Sequence, residues 1–109
     1  MEVAKTLLEV TKPVLADAEL NYVNNYIGLQ VAGNNYFWLK KRSGNKSLMS
    51  FWVGNRLLSK TTPLLDEKRI PYTVRKGETV RITTDKDTVQ ANRDLFLQLG
   101  KLVQQAWTS

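Results

Sequence analysis

The sequence predicts an α+β domain, a five-stranded and mostly antiparallel sheet with helices packed mainly on one face. Three observations predict it. Apolar residues alternate with a period of two through 26–31, 36–42 and 47–53, and short polar turns separate these segments. A Lys76-Gly77-Glu78 turn joins two further strand-like segments, 71–75 and 79–84. Apolar residues at helical spacing bracket the strands, over 2–10 and again after Asp85. The resulting order, α-βββ-α-ββ-α, closes most simply as one layer of sheet against one of helices. At 109 residues the chain has room for one modest core, so 1–109 reads as a single domain.

Each element has its own signal. Val3, Leu7 and Val10, with Leu8 beside them, give the first helix, which Pro13 ends or kinks because it lacks an amide hydrogen. One or two further helical turns are expected through Val14–Ala18. Ile27, Leu29 and Val31 share one side of the first strand, and Gly33-Asn34-Asn35 reads as a turn of residues tolerant of positive φ. Phe37 and Leu39 point inward from the second strand. Ser43-Gly44-Asn45 is the next turn, and Met49, Phe51 and Val53 point inward from the third. Over 55–68 a short helix interrupted at Pro63 is expected. In the second hairpin, Tyr72 and Val74 meet Val80 and Ile82 inward. Thr84 and Asp85 look like an N-cap with Asp87 as capping-box partner. One final helix then carries Val89, Leu95, Phe96, Leu99, Leu102, Val103 and Ala106.

The run Asn25–Leu29 has the form N-Y-I-G-L. It is followed by a basic hairpin, a second hairpin and a C-terminal amphipathic helix. Over about residues 20–107 this pattern resembles a family of small uncharacterised bacterial α+β domains, loosely labelled predicted transport proteins and sometimes found beside nuclease-like domains. The resemblance implies the fold. The family has no assigned activity, so no functional residue carries over.

Composition removes much chemistry. There is no histidine and no cysteine. The usual general base, the Ser-His-Asp arrangement, the common zinc ligand sets and disulfides are therefore unavailable. Walker and dinucleotide-binding glycine patterns are missing, and Gly28 and Gly33 stand alone. Asp66-Glu67-Lys68 has half the form of a magnesium-dependent nuclease site, but it lies outside any strand pattern and reads as a helix end. Asp85 and Asp87 read as helix capping rather than as a metal pair. The expectation is a non-enzyme with no cofactor and no metal. No apolar run approaches the roughly 20 residues that span a bilayer, and the start lacks the features of a secretory signal. A cytoplasmic protein with no membrane partner is expected.

Charge is the most informative feature. No acidic residue lies between Glu19 and Asp66, whereas Lys40, Lys41, Arg42, Lys46, Arg56 and Lys60 do. Sixteen basic residues less these six leaves ten, which the ten acidic residues balance, so the whole net charge of +6 sits in this segment. Such asymmetry suits an anionic partner. If Phe37 and Leu39 face the core, alternation puts Tyr36, Trp38, Lys40 and Arg42 opposite, joined by Trp52, Arg75 and Arg81. Lys41, Lys46, Arg56 and Lys60 would extend the positive field to the edge and loops. Rings that stack on bases beside cations that meet phosphates make nucleic-acid binding, to DNA or RNA, the leading expectation. The competing readings are a protein-interaction or homodimerisation module using the same aromatic face, with Trp38 and Trp52 packed away, and a regulatory domain for a small anionic ligand.

Overall fold

Residues 2–108 are described by a computed structural model of the chain. Helix α1 (Glu2–Thr11) forms because Val3, Leu7 and Val10 recur on one side, and all three are buried. It ends at Thr11, whose hydroxyl donates to the Leu7 carbonyl at 2.8 Å. Pro13 follows, and residues 12–17 make turns rather than the expected further helix.

The sheet has six strands, one more than expected. The addition is β1 (Glu19–Tyr22), which pairs with β2 (Ile27–Val31). Its four residues bury almost nothing, so alternation could not reveal it; backbone pairing holds it. Next come β3 (Asn34–Lys41), β4 (Ser47–Trp52), helix α2 (Gly54–Glu67), β5 (Tyr72–Arg75) and β6 (Thr79–Thr84). The order across the sheet is β1-β2-β3-β4-β6-β5, and every neighbouring pair is antiparallel. After β4 the chain leaves through α2 to the far edge, and β6 folds back into the gap beside β4. The turn between β2 and β3 is tighter than expected. Val31 pairs with Asn34, leaving Ala32 and Gly33, both at positive φ, as the two turn residues.

Helix α2 is also longer than expected. It runs unbroken through Pro63. Proline frees the carbonyl one turn back, at Ser59, and both residues lie on the exposed side, where water can replace the lost bond. The expected single final helix is two, α3 (Lys86–Ala91) and α4 (Arg93–Thr108). They break at Asn92, whose φ of −121° and ψ of 42° are not helical. The cap of α3 is Asp85 rather than Thr84. The Asp85 carboxylate accepts the Thr88 amide at 2.8 Å, while the buried Thr84 hydroxyl has no partner among the described residues.

All four helices lie on one side. Helix α4 packs on β3 and β4, α1 on β1 and β2, and α1 and α2 flank α4. Gly100 lets α4 approach α1 closely, since a Cβ there would sit 3.2 Å from the Thr11 methyl. Between the layers lie Leu29, Phe37, Leu39, Met49, Phe51, Val80 and Ile82, each at most 1% exposed. Phe37 and Phe51 meet with ring centroids 5.5 Å apart. Among the described residues, no helix is long and apolar enough to cross a membrane.

Candidate functional site

With the helices on one side, the other side of the sheet carries its own set of side chains in register. Trp38, Ser50, Arg81 and Thr73 form one row across β3, β4, β6 and β5. Lys40, Leu48 and Thr83 form the next, and Trp52, Thr79 and Arg75 lie on the opposite flank. Lys40, Arg75 and Thr83 are exposed, and Trp38, Leu48, Ser50, Trp52 and Arg81 are half-buried.

One hollow opens on this face, and a second lies where its edge meets the end of α4. A groove of about 520 Å³ lies toward the β3–β4 turn and is lined by Arg42, Lys46, Leu48, Pro71, Tyr72, Thr73, Arg81 and Thr83. The backbone closes the β3–β4 turn here, with the Arg42 amide donating to the Lys46 carbonyl at 2.9 Å. Three cations and two threonine hydroxyls thus converge on a groove with no carboxylate in its lining. Among the described residues the one ion pair is Lys86–Glu2, at 3.6 Å, so Arg42, Lys46 and Arg81 keep their charge for a ligand. Lys46 does act from a distance on Asp85. The Thr88 hydrogen bonds hold that carboxyl below its ordinary value, and Lys46 adds a smaller pull in the same direction. Tyr72 pairs with the inward Ile82, so its phenol turns to the helix side, where partial burial and then a 3.4 Å hydrogen bond to Asp66 of α2 push it up. It remains a neutral donor.

The second hollow, of about 580 Å³, is an aromatic cleft lined by Trp38, Trp52, Thr79, Ala106 and Trp107. Trp107 comes from the last turn of α4. It stacks flat on Tyr36, with centroids 5.5 Å apart and planes 6° apart, and meets Trp52 edge-on at 5.8 Å. The Trp52 indole donates to Glu78 at 3.4 Å.

Tyr36 corrects the expected face. The register shifts between Leu29 and Gln30, so that Leu29 faces Phe37 and Gln30 faces Asn35, leaving Tyr36 as the extra residue of a β-bulge. Alternation breaks there, and Tyr36 is buried under Trp107 instead of standing beside Trp38. Asn35 takes the open side, where its carboxamide oxygen would lie 2.3 Å from any Cβ on Gly28 and accepts from Gln30 at 2.9 Å. A side chain at Gly28 would have to displace the Asn35 carboxamide.

The remaining candidates separate. Trp38, Lys40, Arg42, Lys46, Trp52, Arg75 and Arg81 are brought to the open face. Lys41 shares the parity of Leu39 and borders a hollow with Ile27 on the helix side. Arg56 lies beside Glu78 in a hollow at the start of α2. Lys60 lies against Lys101 between α2 and α4, far from the groove. Trp107 was not foreseen, although it continues the apolar stripe of α4 four residues after Val103. Thr73 and Thr83 were expected to point outward, and they do, but only the register brings them beside Arg81. Asp66 sits at the end of α2, and among the described residues no cluster of three or more acidic side chains could hold a metal. No protein-family model, curated protein or solved structure matches this chain.

Proposed function

We propose that the open sheet face binds single-stranded nucleic acid, DNA or RNA, with the protein acting as an accessory binding domain. The observation that carries this reading is the acid-free groove of Arg42, Lys46 and Arg81 on the same uncovered face as Trp38 and Trp52. Cations answer the phosphates, and flat indoles answer bases that are free to stack. Paired bases are hidden inside a duplex, where such rings cannot reach them. Duplex readers commonly insert a helix into the major groove, but here every described helix lies on the side away from these cations.

A second reading, a homodimerising or protein-binding face, is favoured by Leu48 and the apolar cleft. Charge reversal separates the two. Replacing Lys40 and Arg42 together by glutamate is expected to weaken binding of a labelled single-stranded oligonucleotide about tenfold or more, with the melting transition unchanged because both side chains are exposed. An unaltered titration would remove the nucleic-acid reading and leave the protein-binding one.

A further inference from the structure

Resting on that reading, we infer that the cleft of Trp38, Trp52 and Trp107 is a base-stacking subsite of the same bound strand. The strand then runs along β4 with a footprint of about four nucleotides. One wall of the cleft is prearranged. Trp107 is clamped flat against Tyr36 and edge-on to Trp52, and Trp52 is tethered to Glu78. The other wall, Trp38, makes no ring contact with either indole among the described residues, so the space between stays open. Thr79 and Ala106 add no charge to its lining. An organic cation would suit an indole cage and the Glu78 carboxylate bonded to Trp52, but it would leave the cationic groove, whose Arg81 shares a cross-strand row with Trp38, unanswered. A neutral flat ring joined to an anion satisfies both hollows. A nucleotide strand is such a ligand.

The register sets the length. The cleft and the groove adjoin at the Trp38–Ser50–Arg81 row, and from the Trp52–Thr79 pair at the far end of the cleft to the Leu48–Thr83 pair in the groove is four residues along β4. At about 3.4 Å per residue this offset is roughly 14 Å. A stacked strand rises about 3.4 Å per nucleotide, so about four nucleotides fill the length from Trp52 to Leu48.

The chain has three tryptophans, and all three line the cleft, so intrinsic tryptophan emission reports on this subsite. The test titrates the native protein at low salt with thymidine oligonucleotides of one, two, four and eight residues, and with an abasic octamer of the same phosphodiester backbone. Affinity is expected to rise more than tenfold between two and four residues and only about threefold from four to eight. The tetramer should quench the emission. The abasic octamer should bind about five- to a hundredfold more weakly than its thymidine counterpart and leave the emission unchanged. Equal binding of the two octamers without quenching, or a dinucleotide as tight as the tetramer, would overturn the subsite and its footprint while the phosphate groove stands. If no oligonucleotide binds at all, the nucleic-acid reading falls and takes this inference with it.

Discussion

Asp85 shows how much one side chain can do at a junction. It caps α3, and the hydrogen bonds from Thr88 hold its carboxyl below the ordinary value. Because the folded pKa lies below the unfolded one, this stabilisation is complete above the usual carboxylate range and disappears as pH falls through the folded value. The residue is far from sealed, so solvent screening dilutes the electrostatic part. Replacing it with alanine is expected to cost about 1 kcal/mol at neutral pH, the usual worth of a cap. The gap to the parent protein should narrow in acid. Asp85→Asn keeps a capping oxygen and should lose less. Urea midpoints at neutral and acidic pH measure all three, and a gap that stays constant into acid would deny the linkage. At this scale, alternation correctly put Trp38, Lys40, Arg42, Trp52 and Arg81 on one side of the sheet, because a strand has only two sides. It failed at Tyr36. One inserted residue turns that ring over, and nothing in a string of polar and apolar letters marks where the insertion falls.

Elements that bury apolar faces were legible from their periodicity, and elements held by other means were not. Strand β1 escaped because ELNY has no buried side to advertise. The break between α3 and α4 escaped because the apolar stripe continues on both sides of Asn92. Helix α2 was judged by its proline, yet Leu57, Thr61 and Leu65 keep their buried stripe through it. Proline inside a helix costs up to about 3 kcal/mol. Here Ser59 faces water and the rigid ring restrains the unfolded chain, so the net penalty is smaller. Pro63→Ala is therefore expected to raise stability by about 1 kcal/mol, read as a higher urea midpoint with an unchanged slope. A lower midpoint would mean that the ring itself packs in the fold.

For the molecule as a whole, what matters is that the face left free of helices gathers five cations. The helices take one side of the sheet, and of the six cations in the acid-free segment Lys40, Arg42 and Lys46 reach the other, where Arg75 and Arg81 join them, so half of the bias along the chain becomes a bias in space. Arg42, Lys46 and Arg81 line the groove, with Lys40 and Arg75 on the same face. For single strands, the logarithm of the binding constant falls by about 0.7 for each phosphate contact per unit of log salt. Three contacts imply a slope near −2, and all five a slope near −3.5. Between 50 and 200 mM salt the affinity should therefore drop roughly 15- to 100-fold. Removing one cation, as in Arg81→Ala, should flatten the slope by about 0.7 as well as weaken binding. A dimer closed over the indole cleft would respond to neither change, since apolar burial does not release counterions. Sedimentation or light scattering across the same salt series therefore completes the comparison. Self-association that persists at 200 mM while oligonucleotide affinity stays flat would assign this face to a second copy of the chain.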